Sequence, residues 1–501
     1  MKKKFVIIDG YVDEPAQFGV PPYISPDIRY AWGCYAHYGV FPDYFTIDQV
    51  RKLDLWNSLN SYYHLILIGG VSVPGKYIGG NPLKFREIRM ISDAAPNPLK
   101  IYHGPYTMGY TASGGKVARE LTGLKDMFDY VVTGNIETFL FHLLKGELPS
   151  EGIRRDPGIQ SIVAPKGAQM IKLHPGYPTV MNEIELSTGC ERETHCSFCT
   201  EPLVHHGYWE RPVDDCLNEM EALSEAGGKY FRLGRVANII SYGADKNGPN
   251  PQKIEELYRG IHERTTGLKV LHTDNANPAT IYKHPGKSRE VLKAICRYNT
   301  PGDILSLGVE SFDPEVIIKN NLGTDPEDIV EAVRIINEIG GKRVEGVPKL
   351  LPGINILFGL IGETNDTYSI NLEYLKTILE DGLLLRRINI RQAMIFHNTP
   401  LYNYSLSKKI KIKKKAYKRF KENVRNEIDH QMLKRVFPVG TILKEVKIEY
   451  NRGNVYFGRQ LGTYPILIGI REQLEKGSFV KIRIIDHGYR SITGELIKIR
   501  E

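Results

Sequence analysis

From Asn182 onward, short apolar runs alternate with longer helical stretches, and this alternation limits the chain to a parallel sheet wrapped by helices. The candidate strands are Glu183–Leu186, Tyr230–Leu233, Lys269–Thr273, Ile304–Val309, Gly353–Gly359 and Arg387–Arg391. Helical stretches at Val213–Ala226, Pro251–Glu263, Ser288–Arg297, Pro326–Ile339 and Tyr368–Asp381 separate them. Units of this kind predict an α/β fold, a partial (β/α)6 TIM-type barrel. In such barrels the chemistry sits at the carboxyl ends of the strands.

The first 150 residues repeat the theme. Phe5–Asp9, Leu65–Gly70, Lys100–His103 and Tyr130–Gly134 read as strands, Ser25–Tyr38 as a helix entered through a Ser-Pro cap, and Asn135–Leu144 as a second helix. A Rossmann-like parallel sheet follows, and such sheets bind ligands at their carboxyl ends. Gly69, Gly70, Gly104 and Gly134 stand there; they either admit a ligand to the backbone or simply turn the chain. Residues 151–180, rich in Pro and Gly, read as a linker. Past Phe437-Pro438, the runs Gly440–Tyr450, Val455–Gly458, Pro465–Ile470, Phe479–Asp486 and Ser491–Ile499 predict a small, OB-like β barrel. The expected domains are 1–150, 175–405 and 437–501.

Composition sets the class. The net charge of +8 on 501 residues permits an acidic or nucleic-acid partner without demanding one. No apolar run approaches the roughly 20 residues of a membrane span. The stretch before Asp9 is too short for a signal peptide, so a cytoplasmic protein is expected. Six cysteines with a local cluster fit a metal site in a reducing compartment better than a disulfide framework. Cys216 and Cys296 fall in helical stretches and read as buried structural thiols. Eight basic residues between Lys408 and Arg419 read as a solvated helix or connector before a binding patch.

The cluster is Cys190, Cys196 and Cys199, on a loop directly after the first barrel strand. Iron–sulfur clusters normally take four cysteines, so three leave one iron open to a substrate or cofactor. A zinc site is the alternative, with His195, His205 or His206 as fourth ligand.

Cys196-Ser-Phe-Cys199 resembles the Cys-x-aromatic-Cys ending of the radical SAM superfamily. Gly308-Val-Glu-Ser-Phe-Asp313 resembles that family's fourth-strand motif, and Phe358-Gly-Leu-Ile-Gly-Glu-Thr364 its fifth-strand motif. The first cysteine gap is five residues where three is commonest, and Arg232-Leu-Gly-Arg235 stands where the family has Gly-Gly-Glu. The resemblance implies that Cys190, Cys196 and Cys199 hold a 4Fe–4S cluster whose open iron chelates S-adenosylmethionine. It places Phe198 near the adenine, Gly234 against the methionine moiety, and Glu310 and Ser311 on the ribose or amino acid part. An electron from a donor such as ferredoxin or flavodoxin would then yield methionine and a 5′-deoxyadenosyl radical.

The N-terminal domain resembles that of the cobalamin-dependent subgroup, whose last-strand Gly-x-x-Glu motif is matched by Thr133-Gly-Asn-Ile-Glu137. That likeness implies cobalamin against Gly69, Gly70, Gly104, Thr133, Gly134 and Glu137. The Asp-x-His-x-x-Gly signature is missing, so the lower cobalt ligand is not the usual histidine. The C-terminal module resembles a TRAM domain through Tyr450–Arg459, Gly477–Asp486 and Ser491–Gly494. By that likeness it either contacts RNA through Arg452, Arg459, Lys481, Arg483 and Arg490 or docks to shield the active site. The function expected is methyl transfer to an unactivated carbon of a protein, RNA, lipid or small metabolite. The alternatives are a methylthiotransferase-like RNA modifier and a non-catalytic iron–sulfur protein. The first needs three N-terminal cysteines where this chain has Cys34, and the second has no use for the Gly359–Thr364 motif. Asp274–Pro278, Arg391, Gln392 and His397 are further candidate contacts at strand ends.

Overall fold

The computed structural model describes residues 3–11, 23–70, 81–110, 114–121, 123–205 and 207–497. Its N-terminal sheet has five parallel strands in the order Asp43–Thr46, Phe5–Asp9, His64–Ile68, Leu99–His103, Tyr130–Val132. His64–Ile68 is buried at every position, which is why its apolar run is so plain in the sequence. Asp43–Thr46 escapes sequence reading: it is a short edge strand with an exposed acid and only alternate residues fully buried. This strand order puts the topological switch point between Phe5–Asp9 and His64–Ile68, where the carboxyl ends form the crevice that takes ligands in such sheets.

The helix Pro26–His37 begins at Ser25, whose hydroxyl accepts the Asp27 amide at 3.3 Å. Its partner is a correction to the sequence reading. The stretch 151–180 is not a loose linker but carries the helix Pro157–Lys166 and the 3-10 turn Ala168–Leu173, packed against Pro26–His37. Its Pro and Gly have structural uses: Pro157 opens the helix behind an Asp156 cap, and a Cβ at Gly167 would meet the Arg29 carbonyl at 2.1 Å.

The central domain consists of two four-stranded parallel sheets that continue into each other. One holds Met181–Glu185, Tyr230–Gly234 and Val270–His272; the other holds Asn275–Ala276, Asp303–Glu310, Leu350–Phe358 and Arg387–Gln392. The third barrel strand breaks between them, and the Asp303 carboxylate bridges the gap by accepting the Thr273 amide at 2.9 Å. The N-terminal domain holds both free edges. Tyr23–Ile24 adds a parallel strand to Met181–Asn182. Beyond the sixth strand, the Ala118 amide donates to the Ile395 carbonyl at 2.8 Å, and the Ile395 amide donates to Lys116 at 3.1 Å.

The C-terminal module is a closed barrel of Ile442–Arg452, Val455–Gln460, Leu467–Ile470, Phe479–His487 and Ser491–Leu496. Residues 498–501, including the end of the last expected strand, lie outside the described residues. The loop after Val455–Gln460 enters the base of the central barrel. Leu461 packs with Met181, Tyr230 and Val270, the first residues of three barrel strands. The Thr463 amide donates to His272 Nδ1 at 2.9 Å, and the Arg387 guanidinium lies 3.6 Å over the Tyr464 ring. The basic run forms part of the helix Lys414–Asn423, in which Phe420 is the buried residue.

Candidate metal and cofactor site

The cysteine loop leaves the first barrel strand through a narrow neck. Ser187–Thr188 pairs antiparallel with Trp209–Glu210. Gly189 has a φ of 75°, and a Cβ there would strike the Gly207 carbonyl at 2.0 Å. Buried Ser197 pins the far side: its amide and hydroxyl donate to Asn320 at 3.1 and 2.6 Å, and its carbonyl accepts Leu401. The Cys199 amide donates to the Cys196 carbonyl at 3.0 Å, and Arg192 donates to Cys196 Sγ at 3.1 Å. Cys190, Cys196 and Cys199 are half-buried free thiols. Burial pushes Cys190 up to about 11 and Cys199 up to about 12; it also raises Cys196, with Arg192 pulling back. Such thiols reach the thiolate state when a metal centre takes the place of their protons. Three soft donors on one rigid loop, with an N–H already aimed at one sulfur, fit an iron–sulfur cluster. Among the described residues no three His, Cys, Asp or Glu side chains converge on a single metal ion. Of the histidines considered for zinc, His205 sits 3.6 Å from Glu201, and His206 lies outside the described residues.

Around this loop the strand ends supply polar groups. Phe198 packs with Val316, Leu360, Ile395 and Leu401, beside the end of the fifth strand. Glu363 folds that end back by accepting the Gly359 and Leu360 amides at 2.6 and 2.9 Å. Burial lifts its carboxyl to about 7, against the pull of those amides. Glu310 ends the fourth strand past a register shift, with a φ of 62°. A non-glycine residue held there costs backbone strain. Burial raises its carboxyl to about 7, with Arg391 opposing, and its charge bears on Cys196. The chain itself uses two other expected contacts. The Ser311 hydroxyl accepts the Asp313 amide at 3.1 Å, and the space beside Gly234 is filled by Glu183 Oε1, 2.5 Å from where a Cβ would sit.

The glycines of the N-terminal sheet let strand ends approach each other. A Cβ at Gly70 would meet the Gly10 carbonyl at 2.6 Å, at Gly69 the Tyr102 hydroxyl at 2.5 Å, and at Gly104 the backbone of Gly69 at 2.9 Å. At the last strand, the Thr133 and Gly134 amides both donate to the Glu151 carbonyl at 2.8 Å, so the chain covers that end. Glu137 is fully buried; its Oε1 accepts Arg155, and its Oε2 has no donor among the described residues. Just past the end of the first strand, the Tyr11 ring meets the Tyr23 ring edge to face, with centroids 4.9 Å apart.

Sequence reasoning missed the ion network between the domains. Arg235, at the end of the second strand, donates to Asp27 at 2.5 Å and to Ser25 at 2.9 Å, and approaches Glu185 at 3.4 Å. Arg232 pairs with Asp274, and Arg155 joins Glu137 to Glu185. Arginines standing in a motif that is otherwise acidic were the available signal.

A parallel α/β domain clasping a partial barrel with a three-cysteine loop defines an iron–sulfur α/β-barrel enzyme. The family model of the radical SAM superfamily matches residues 184–369. An uncharacterised protein of Methanocaldococcus jannaschii is 45% identical over 98% of this chain and 93% of its own length. The ribosomal protein uS12 methylthiotransferase RimO of Carboxydothermus hydrogenoformans is 24% identical over 64% of this chain and 68% of its own. Two solved structures share the fold. The cobalamin-dependent S-adenosylmethionine radical enzyme OxsB has a TM-score of 0.55 at 14% identity, over 83% of this chain and 56% of OxsB. The radical S-adenosylmethionine methyltransferase TsrM from Kitasatospora setae has a TM-score of 0.53 at 16% identity, over 80% of this chain and 75% of TsrM. The chain belongs to the radical SAM superfamily, whose cofactors are a 4Fe–4S cluster and S-adenosylmethionine.

Proposed function

We propose that this radical SAM enzyme is a cobalamin-dependent methyltransferase acting on an unactivated carbon. The observation that carries the reading is the clasp of the N-terminal domain on both barrel edges, through Tyr23–Ile24 and through Lys116–Ala118. It brings the switch-point crevice and the barrel mouth together. The fold likeness to OxsB and TsrM, described as a cobalamin-dependent radical enzyme and a radical methyltransferase, spans both domains.

In this reading Cys190, Cys196 and Cys199 hold the cluster, and Arg192 steadies it through its hydrogen bond to Cys196. When bound, the cluster with S-adenosylmethionine supplies a 5′-deoxyadenosyl radical, and cobalamin supplies a methyl carrier. Phe198 and the end of the fifth strand wall the adenosyl side. Glu310, poised near neutrality, is placed to hold or release a proton beside Cys196. Arg235 and Asp27 tie the barrel to the N-terminal domain across their seam. An external donor such as ferredoxin or flavodoxin supplies the electron.

Anaerobic reconstitution with iron, sulfide and hydroxocobalamin, followed by desalting and absorption spectroscopy, tests this. Retained corrin alongside cluster absorption supports the reading, and a protein that holds the cluster but releases all corrin overturns it. The likeness to RimO favours methylthiotransfer as a second reading. Against it stands the cysteine supply: the one cysteine before Cys190 is Cys34, fully buried and donating to the Glu137 carbonyl.

A further inference from the structure

A cleft of about 70 Å3 opens where the sixth barrel strand, the helix His430–Val436 and the C-terminal barrel meet. It lies at the amino end of that strand, away from the end that carries chemistry in such barrels. Its polar lining is Arg386, Arg387, Asp429, Tyr464, Tyr489 and Arg490, over an apolar floor that includes Phe437.

Among the described residues, two guanidinium groups of this cleft stand without a carboxylate partner. Arg386 donates to the Tyr464 carbonyl at 3.0 Å and lies 5.1 Å over the Phe437 ring, with no carboxylate partner among the described residues. Arg387 lies over the Tyr464 ring and likewise has none among them. The carboxylate of the cleft, Asp429, stands 3.9 Å from Arg490. Burial, then repulsion from Arg387 and Arg490, brings Arg386 down to about 10. Lys421 is lowered by burial and by Arg425 and Arg490, so the positive field extends past the cleft itself.

Gathering guanidinium groups in a sheltered cleft is unfavourable unless an anion joins them. Their planar forks match the oxygens of a phosphate, which each can bind through paired hydrogen bonds. Tyr489, 63% exposed at the rim, offers a flat aromatic face beside them, the pairing used for stacking a base next to its phosphate. We propose that this cleft binds a phosphate group through Arg386 and Arg387, with the Tyr489 ring against the group that the phosphate carries. The phosphate belongs either to a small molecule such as a mononucleotide or to a nucleic-acid backbone.

Full-length protein is titrated with inorganic phosphate and AMP by calorimetry, and with a short fluorescein-labelled single-stranded RNA by anisotropy, at low and high NaCl. Binding of phosphate and AMP assigns a small ligand; binding of RNA alone, weakening steeply with salt, assigns a backbone phosphate. In either case Arg386→Gln and Arg387→Gln each weaken binding by roughly tenfold. Arg386→Lys, which keeps the charge but not the fork, recovers only part of the loss. Circular dichroism checks that the variants fold; if the glutamine variants do not, Arg386→Lys and the wild-type titrations decide. The proposal fails if none of the probes binds wild-type protein, or if folded variants bind as tightly as wild type.

Discussion

Arg235 Nη2 lies 2.5 Å from Asp27 Oδ2, so the end of the second barrel strand is tied to the first helix of the N-terminal domain. Burial alone would push the Asp27 carboxyl up, but Arg235 holds it well below the usual carboxylate range. A carboxyl depressed on folding contributes stability above its unfolded value of 3.8 and loses it as the pH falls below that. Asp27→Asn therefore lowers unfolding free energy at neutral pH by about 2 kcal/mol, and the loss shrinks on acidification. Urea titrations at neutral and acidic pH measure both effects.

Glu363 has the opposite sign. Its carboxyl rises from 4.5 to about 7 on folding, so the folded state binds the proton more tightly. Its contribution to stability is fully present below 4.5 and is lost as the pH climbs through about 7. Glu363→Gln keeps an oxygen for the Gly359 and Leu360 amides but cannot ionise. The variant's melting temperature should fall less than that of wild type between acidic and neutral pH, as read by differential scanning fluorimetry.

At Gly134 a Cβ would meet the Ile153 carbonyl at 2.1 Å. Gly134→Ala must push the covering segment away from the strand end, at a cost of about 1–3 kcal/mol. Thermal unfolding reads the loss. If the position faced open space, the alanine would be neutral.

Cys196→Ala, Cys199→Ala and Cys190→Ala each should leave the protein folded and reduce bound iron severalfold after anaerobic reconstitution. Iron and sulfide assays measure this, and chromatography of 5′-deoxyadenosine should show product formation abolished. Product at wild-type levels in any of the three would remove that cysteine from the ligand set.

The sequence revealed what local pattern encodes. His64–Ile68 and Leu350–Phe358 announce themselves because long apolar runs are needed where strands are buried. Asp43–Thr46 did not, since an edge strand needs only part of its surface apolar. The stretch 151–180 misled because Pro and Gly there open a helix and allow backbone to pack on backbone. The cysteine loop was legible because its ligands are close in sequence. The Arg235–Asp27 contact was not, because its partners are 208 residues apart and nothing local marks them as a pair.

The loop Leu461–Pro465 closes the base of a barrel whose last strand ends at Gln392. A ribosome therefore finishes every barrel strand before it makes the residues that form the floor. Until that loop emerges, the first residues of the barrel strands, Met181, Tyr230 and Val270 among them, are open from below. The base of the central barrel is thus the last part of it that the growing chain can close.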